Sequence, residues 1–348
     1  MPKETSVEVQ IEGRTLKLTN LEKVLYPEVG FTKAQVIDYY TRIAPIILTH
    51  TRDHPLTLKR YPNGVDAEFF YEKNCPKHRP PWVETATVWS GGNNRDMYYC
   101  LAQDLPTLVW LAQIATLEFH TSLSKAQKLP QPCTLVFDLD PGPPATIVEC
   151  CRIGLMLRDV FRDHGLESYA KTSGSKGLQM YLPLNTAVTY EETKVVSKGL
   201  AQIFEEQHPD LVVHKQLKEL RKGRVLIDWS QNDQYKTTVN VYSLRARTRP
   251  TVSTPVSWDE VERCFKSGDP SQLVFDSEQV LARIEKLGDL FEPVATKKQK
   301  LPKSLLQATG GADAVDKMAN RRRSMGRGRY PPQKGRTGKI ERAERGLE

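Results

Sequence analysis

The sequence lacks three features that would mark a chain of 348 residues as a membrane, secreted or zinc protein. No apolar run approaches the roughly 20 residues that cross a bilayer, and the N-terminus lacks the apolar core of a signal peptide. Cysteine is scarce: there are 6, none of them spaced as C-x-x-C, and Cys150 and Cys151 are adjacent. We therefore expect buried thiols in a reducing compartment, without a disulfide framework or a zinc site.

An excess of positive charge is missing from most of the chain. The formal net charge is +8, yet residues 296–348 hold 15 Lys and Arg against 5 Asp and Glu, which leaves a net charge of −2 for the rest. Because this basic segment is also rich in Gly, Pro, Gln and Ser, we expect it to be mostly disordered, with a short helix near 302–319. It could contact nucleic-acid phosphates nonspecifically or serve only solubility. Elsewhere, a nucleic-acid surface must be a local patch.

One short stretch, residues 133–142, organises the chain. Residues 134–138 favour a strand, and Pro141-Gly142 ends that strand. Because side chains two apart in a strand share a face, Asp138 and Asp140 point one way and their apolar neighbours point the other. Adjacent carboxylates repel each other, so a hard divalent cation, Mg²⁺ or Mn²⁺, would belong between them. The alternative is an ordinary strand end followed by a solvated Asp-Pro-Gly turn.

Residue types that suit phosphate follow this stretch in the chain. Residues 172–177 form a Gly/Ser loop with Lys176 between two predicted strands, without the spacing of a Walker A loop. Asp228 lies in a further apolar strand, and Arg245 begins a run of alternating arginines. Three carboxylates, such a loop and arginines form the set that two-metal nucleotidyl transfer requires. Taken alone, the loop is also typical of a hairpin with a surface lysine.

A candidate phosphate pocket lies near the N-terminus. Thr32 is a good N-cap for a helix from Lys33 to about residue 48. The N–H groups of its first turn, with Lys23 and Lys33, could hold a phosphate. Two solvated lysines are the alternative.

Aromatic residues next to cations form a second candidate surface. Residues 69–71 are consecutive aromatics, and the strand before them ends in Lys59-Arg60. Exposed rings beside cations can stack on nucleobases, whereas the alternative is that these rings pack in the core. His120 lies at the end of a later predicted strand and faces away from the core, as a catalytic residue or an incidental polar one.

These motifs, in this order, resemble the polymerase domain of bacterial DNA ligase D, in the archaeo-eukaryotic primase superfamily. The resemblance covers about residues 5–293 and leaves the basic tail without a counterpart. The matching stretches are LTNLEKVLYP (18–27), RYPNGV (60–65), FFYEK (69–73), LVFDLDPG (135–142), TSGSKGL (172–178), IDWSQN (227–232), KTT (236–238) and YSLR (242–245).

The resemblance implies an α/β (α+β) fold, with a primase-like catalytic core of mixed or antiparallel sheets flanked by helices. It implies two lobes packed as one unit over residues 1–295: an N-terminal lobe of about 1–130 with the 5′-phosphate and template contacts, and a catalytic core of about 131–295. Residues 296–348 would then be the basic, mostly disordered tail.

The resemblance also implies roles for individual residues. The metal-binding catalytic triad would be Asp138, Asp140 and Asp228. The contacts to the incoming nucleotide, its sugar or the primer end would be Ser173, Lys176, Gln179, Arg221, Gln231, Arg245 and His120. The pocket for a DNA 5′-phosphate would be Lys23 and Lys33, and the template contacts would be Lys59, Arg60, Phe69 and Phe70.

One position departs from the family pattern. Gln179 stands where relatives usually carry a His that contacts the nucleotide phosphates. Glutamine can still donate a hydrogen bond but carries no charge, so the grip on phosphate would be weaker or differently arranged.

The resemblance predicts template-directed nucleotidyl transfer that fills short gaps or extends broken DNA ends, with Mn²⁺ or Mg²⁺ at a two-metal site and with NTP or dNTP substrates, ribonucleotides preferred. A non-catalytic DNA end-binding module is the alternative, and a D-x-D glycosyltransferase is a weaker one because it leaves Asp228, Lys23 and Lys33 unexplained. No K-x-D-G ligase motif occurs. We therefore expect a stand-alone monomeric polymerase in the bacterial cytoplasm, at the nucleoid and not at a membrane, working with a separate ligase and an end-binding protein.

Overall fold

The computed structural model describes residues 6–90 and 94–324, together with the backbone of residues 340–341. Its strands are β1 (Ser6–Ile11), β2 (Arg14–Thr19), β3 (Val24–Tyr26), β4 (Phe31–Thr32), β5 (Leu56–Arg60), β6 (Phe70–Glu72), β7 (Thr85–Ser90), β8 (Arg95–Cys100), β9 (Thr116–Ser122), β10 (Thr134–Pro141), β11 (Tyr169–Thr172), β12 (Leu178–Pro183), β13 (Val212–Val213), β14 (Val225–Asp228), β15 (Thr237–Val239), β16 (Pro255–Val256) and β17 (Ile340–Glu341). Its helices are α1 (Lys33–Thr51), α2 (Leu105–Gln113), α3 (Ile147–Asp163), α4 (Tyr190–Gln207), α5 (Trp258–Ser267), α6 (Ser277–Leu287), α7 (Glu292–Thr296), α8 (Lys303–Ala308) and α9 (Gly311–Ser324).

Two main sheets hold most of these strands, while β1–β2 and β3–β4 form separate two-stranded sheets. The first sheet has the strand order β15-β9-β5-β8-β7-β17, with β6 also paired to β5. The second sheet has the order β13-β14-β10-β12-β11-β16. Their pairings are antiparallel except for the parallel pair β13–β14. The predicted class, mixed or antiparallel sheets flanked by helices, is confirmed.

The pleat of β10 decides which side chains reach the core. Leu135, Phe137 and Leu139 are fully buried in a core that α3 and α4 complete. Because alternate residues of a strand point to opposite faces, Asp138 and Asp140 lie on the other face, as the sequence predicts. The apolar half of the strand therefore anchors the polar half in a rigid sheet.

Capping residues determine where the long helices begin. Thr32 accepts a hydrogen bond from the backbone N–H of Gln35, whose side chain binds back to Thr32, so α1 begins as predicted. Thr146 and Thr189 cap α3 and α4 with the same reciprocal pattern. The first helix extends to Thr51, slightly beyond the expected end.

The two lobes interleave in sequence. The strand β15 pairs with β9 of the first sheet, with Val239 opposite His120. The residues after it, among them Val241 and Leu244, are buried in the core of the first sheet. The expected boundary near residue 130 therefore needs correction, because the catalytic part of the chain returns to complete the N-terminal sheet.

The expectation of free thiols throughout is wrong for one pair. Cys75 and Cys100 form a disulfide, with their Cα atoms 5.0 Å apart. They are 25 residues apart in sequence, and the N–H of Cys75 also donates to the carbonyl oxygen of Tyr98, close to Cys100. The free cysteines are Cys133, Cys150, Cys151 and Cys264, the last three buried.

The start of the basic segment is helical. A short helix was expected near residues 302–319, and two helices, α8 and α9, cover residues 303–324. Leu305 of α8 is 1% exposed and belongs to the core of the second sheet. Residues 325–339 and 342–348 lie outside the described residues. Within the described ranges, no helix is long and apolar enough to span a membrane.

Candidate active site

The antiparallel register of the second sheet brings the three predicted carboxylates to one face. Asp138 of β10 lies directly opposite Asp228 of β14 on one side and opposite Gln179 of β12 on the other. Directly paired residues of adjacent strands share a face, and Asp140, two residues further along β10, shares it too. Residues 138, 140 and 228 thus form one group, although β10 and β14 are far apart in the chain.

Burial and mutual repulsion act on this group in the same direction. Burial, then the neighbouring charges of Asp140 and Asp228, raises the pKa of Asp138. Burial and Asp228 raise the pKa of Asp140, against the opposing charges of Arg221 and Arg245. The protein therefore supplies this face with too little positive charge of its own, and an all-carboxylate donor set suits hard divalent cations.

The side chains of this group do not form a closed cage in their present arrangement. Across residues 6–90 and 94–324, no three His, Cys, Asp or Glu side chains are grouped so that they could hold a metal ion. Asp228 uses both carboxylate oxygens in hydrogen bonds: Oδ1 accepts from Gln216 at 2.8 Å and from the N–H of Ser230 at 3.0 Å, and Oδ2 accepts from Gln231 at 3.0 Å. The donor chemistry fits a divalent cation, and Asp228 Oδ2, which accepts one hydrogen bond from Gln231, keeps a lone pair for such a ligand.

Gln216 was not singled out from the sequence. Besides donating to Asp228, it accepts hydrogen bonds from the predicted nucleotide contact Arg221, through its backbone carbonyl at 2.7 Å and its side-chain oxygen at 3.2 Å. An amide in a short polar segment gives no sequence signal. Its position links Arg221 to the carboxylate group.

Gln179, the departure from the family pattern, bridges a carboxylate and a buried lysine. Its Nε2 donates to Asp138 Oδ1 at 3.0 Å, and its Oε1 accepts from Lys171 Nζ at 2.5 Å. Lys171 is fully buried and also donates to the carbonyl of Val239 and the hydroxyl of Ser253. The amide therefore faces Asp138 with its N–H₂ group. No signal in the sequence marks Lys171, because its short strand also contains the polar Thr172.

The Gly/Ser loop is held by its own serine. The Ser173 hydroxyl oxygen accepts hydrogen bonds from the N–H groups of Ser175 and Gly177. Gly177 packs against the end of β10 so closely that a Cβ atom there would lie 2.2 Å from the carbonyl oxygen of Leu139. This close approach explains why glycine is needed, and it places the loop beside Asp140. The side chain of Lys176 is exposed.

Arg245 joins the loop to the first sheet. Its Nη1 donates to the carbonyl oxygen of Ser173, and its Nε lies 3.3 Å from Glu118 Oε2 on β9. One guanidinium thus contacts the Gly/Ser loop of one sheet and a buried carboxylate of the other.

Glu118 was not singled out from the sequence either, and it contacts several basic side chains of the first sheet. It is 1% exposed, and it accepts from His120 at 2.9 Å and lies 3.3 Å from Lys59 Nζ. Burial raises the pKa of Glu118, but the hydrogen bond from His120 and the charges of Arg245 and Lys59 outweigh burial and hold that pKa well below its usual range. Burial lowers the pKa of His120, against the opposing effect of Glu118.

The consecutive aromatics are exposed, so the core-packing alternative is wrong. Phe69, Phe70 and Tyr71 are 48%, 43% and 58% exposed. Lys59 Nζ lies 4.3 Å from the centre of the Phe69 ring, and the Arg60 guanidinium lies 5.1 Å from that of Phe70. We call residues 69–71 the aromatic platform.

The two N-terminal lysines are tied to backbone and loop groups. Lys23 Nζ donates to Asn63 Oδ1 at 2.9 Å, and Lys33 Nζ donates to the Thr19 carbonyl at 2.7 Å. The N–H of Lys33 also donates to the carbonyl of Lys23. Because Lys33 is only 7% exposed, the alternative of two solvated lysines is wrong for it. The structure thus brings the two residues of this pair together at the start of α1.

Carboxylates on one sheet face, beside a glycine-rich loop held by an arginine, are typical of enzymes that transfer nucleotides. The family model described as LigD, primase-polymerase domain, matches residues 32–291. The chain belongs to this family, and its enzyme class is the primase-polymerase type of nucleotidyltransferase. The resemblance drawn from the sequence motifs is confirmed.

Individual relatives agree with this assignment. The chain is 40% identical over 281 residues to the multifunctional non-homologous end joining protein LigD of Mycolicibacterium smegmatis, covering 80% of this chain and 36% of that protein. It is 30% identical over 274 residues to the bifunctional non-homologous end joining protein LigD of Bacillus subtilis, covering 78% and 43%. It thus spans less than half the length of either relative.

A solved structure matches the fold. The polymerase domain from Mycobacterium tuberculosis ligase D in complex with DNA superposes with a TM-score of 0.75 and 38% sequence identity. The match covers 82% of this chain and 99% of that one, so nearly the whole of that domain has a counterpart here.

Proposed function

We propose that this chain extends a primer 3′ end under the direction of a template, filling short gaps or extending broken DNA ends in non-homologous end joining. The observation that carries the proposal is the register that sets Asp138 opposite Asp228, with Asp140 on the same face and the Gly/Ser loop beside it. The family membership supports the same reaction class.

The carboxylate group holds Mn²⁺ or Mg²⁺ in this proposal. Bound there, the metal ions would lower the pKa of the primer hydroxyl and neutralise charge on the triphosphate and the leaving pyrophosphate. The protein itself orients the carboxylates: Gln179 holds Asp138 and Gln216 holds Asp228 by hydrogen bonds.

The nucleotide lies against the Gly/Ser loop in this proposal. Ser173 and Lys176 contact its phosphates, together with Arg245, whose guanidinium already reaches the loop. Arg221 and Gln231 approach it from the other side of the carboxylate group. His120 serves near the sugar or the primer end.

The template contacts lie at the first sheet, and the 5′-phosphate contacts lie at the start of α1. Phe69 and Phe70 stack on a template base, with Lys59 and Arg60 beside them, because exposed rings flanked by cations suit nucleobases and phosphates. Lys23 and Lys33 receive the 5′-phosphate of the downstream strand.

The finer properties of this function are also proposals. We propose a preference for ribonucleotides, action as a monomer in the bacterial cytoplasm at the nucleoid, and cooperation with a separate ligase and an end-binding protein. The basic tail adds nonspecific phosphate contacts, which would weaken as salt rises.

The deciding experiment is extension of a primer across a short DNA gap, with Mn²⁺ or Mg²⁺ and with ribonucleotides or deoxyribonucleotides, with and without a 5′-phosphate on the downstream strand. We expect templated addition that needs a divalent cation. Absence of templated addition under all of these conditions would exclude the polymerase function.

The same substrates test the phosphate pocket. Lys23→Ala should weaken binding only to gaps that carry the 5′-phosphate, while Lys17→Ala, which removes an exposed lysine of β2, should have no such selectivity. Equal weakening of both gaps by Lys23→Ala would remove this pocket from the proposal.

A further inference from the structure

A short loop that follows Arg245 carries two arginines to which none of the roles described so far applies. Arg247 and Arg249 belong to residues 246–250, and both are exposed. In the described part of the chain, neither of them forms an ion pair or a side-chain hydrogen bond. We call residues 246–250 the arginine loop.

Hydrogen bonds hold the backbone of the arginine loop at both ends. The N–H of Arg245 donates to the carbonyl oxygen of Thr251 at 2.7 Å, and the carbonyl oxygen of Arg245 accepts from the Tyr26 hydroxyl at 3.1 Å. The hydroxyl of Thr251 donates to the carbonyl oxygen of Gly174, in the Gly/Ser loop, at 2.6 Å. The two exposed arginines therefore extend from a fixed backbone, so binding a ligand restricts only their side chains.

The arginine loop lies next to the aromatic platform. The N–H of Ala246 donates to Glu118 Oε1 at 3.1 Å, and Lys59 Nζ lies 3.3 Å from the same oxygen. Lys59 Nζ in turn lies 4.3 Å from the centre of the Phe69 ring. Burial lowers the pKa of Lys59, and the positive charge of Arg247 adds to that effect. One carboxylate oxygen thus joins the loop to the lysine that contacts the platform.

Positive charge exceeds negative charge around the arginine loop. Glu118 is shared by Lys59 and Arg245. It does not also compensate the charges of Arg247 and Arg249. Guanidinium groups bind phosphate oxygens with paired donors. Because the chain before residue 296 has a net charge of −2, this surplus is a local patch, of the kind that a nucleic-acid surface requires here.

We infer that the arginine loop binds phosphates of the template strand, through Arg247 and Arg249, next to the base that lies on the aromatic platform. This inference rests on the proposed function, which places a template base at Phe69. The template is unpaired within a gap, and rings for bases beside cations for the backbone are typical of sites for single-stranded nucleic acid. The platform and the loop would hold the bases and the backbone of the same stretch of template.

The test compares the full chain with the double variant Arg247→Gln, Arg249→Gln. The control is Arg152→Gln, Arg263→Gln, which removes the same charge from exposed positions of α3 and α5. These helices belong to the core on the side of the second sheet opposite the carboxylate group. Fluorescence anisotropy at several salt concentrations measures binding of a labelled single-stranded template, and of the same template in a gapped DNA. Primer extension at saturating gapped DNA gives the KM for the nucleotide.

We expect the arginine-loop variant to bind both DNAs about tenfold more weakly than the control variant does. The slope of its affinity for the single strand against salt, on logarithmic scales, should be smaller by about 1.4, as for two lost phosphate contacts. The KM for the nucleotide should stay unchanged, because the lost contacts are to the template. The melting temperature should also stay unchanged, since both side chains are exposed and unpaired in the described fold.

Three outcomes would overturn the inference. A loss of DNA affinity no greater than that of the control would show that neither arginine contacts the template. A loss confined to the gapped DNA would assign the arginines to the primer or the downstream strand. A raised KM for the nucleotide, with template binding unchanged, would assign them to the triphosphate. If the unmodified chain extends no primer, the proposed function fails, whereas binding of the single-stranded template still tests the arginine loop.

Discussion

Two buried charge clusters, one on each sheet, have pKa values shifted in opposite directions. On the second sheet, burial and repulsion raise the pKa values of Asp138 and Asp140. On the first sheet, burial also raises the pKa of Glu118, yet the hydrogen bond from His120 and the charge of Arg245 bring it well below its usual range. Burial alone therefore does not determine the direction of the shift.

The difference lies in where the compensating positive charge comes from. The first-sheet cluster contains its own cations, so Glu118 is neutralised within the fold. The second-sheet cluster has too few, which is typical of a site that takes positive charge from a ligand. From this comparison we propose a mainly structural role for Glu118 and a ligand-binding role for Asp138 and Asp140.

The largest expected effect separates the clusters by activity. Asp138→Asn should reduce primer extension at least about a thousandfold, because it removes several kcal/mol of charge stabilisation at the reacting centre. Its melting temperature should not fall, because a repulsive charge is lost. Asp210→Asn, at an exposed position, is the control. Extension at the unmodified rate by Asp138→Asn would contradict the ligand-binding role.

The next effect separates the clusters by stability. Glu118→Gln should lower the free energy of unfolding by about 3 kcal/mol, because Lys59 and Arg245 lose their buried anion. Chemical denaturation at neutral pH measures this, with Glu278→Gln, from an exposed ion pair with Arg42, as a control of little effect. If Glu118→Gln lowers the free energy of unfolding no more than the control does, Glu118 does not stabilise the fold by neutralising Lys59 and Arg245.

The stability lost in Glu118→Gln should depend on pH in a defined direction. Since folding lowers the pKa of Glu118 from 4.5, its stabilising contribution is present above that value and is lost as the pH falls through the folded-state pKa. The difference between the unmodified chain and Glu118→Gln should therefore shrink at about pH 3. A difference that stays constant or grows on acidification would contradict this cause.

A smaller effect tests whether a divalent cation supplies the positive charge that the second-sheet cluster lacks. Mn²⁺ or Mg²⁺ at about a hundred times its dissociation constant should stabilise the fold by about 2.7 kcal/mol, a rise of a few degrees in melting temperature. Asp228→Asn should reduce this rise, and a chelator should reverse it. The same rise in Asp228→Asn and in the unmodified chain would place the metal elsewhere.

The smallest effect tests the link through Gln179. Lys171→Met should lower kcat for extension about tenfold, with KM for the nucleotide unchanged, because the amide of Gln179 loses the contact that aims its N–H₂ group at Asp138. Gln179→Met should cause a similar loss. If the two residues act as one unit, the double variant loses no more than either single one, and additive losses would refute the link.

Much of the fold and part of the site could be predicted because the signals are local. The alternation along β10 put Asp138 and Asp140 on one face, and Thr32 marked the start of α1. By contrast, Lys171 and Gln216 gave no usable signal, since their roles depend on partners that other strands bring near. Glu118 was overlooked for the same reason: its partner Arg245 lies far along the chain.

The sequence by itself determined which side chains share a strand face, where the capped helices begin and which family the motifs belong to, because period, capping and motif order are properties of neighbouring residues. Only the tertiary structure decided that the aromatic platform is exposed, that Cys75 meets Cys100 and that α9 docks on α4. It also decided that the pKa values of the carboxyl groups in the two charge clusters shift in opposite directions. These outcomes depend on burial and on distances in space, and strand pairing between remote segments determines both.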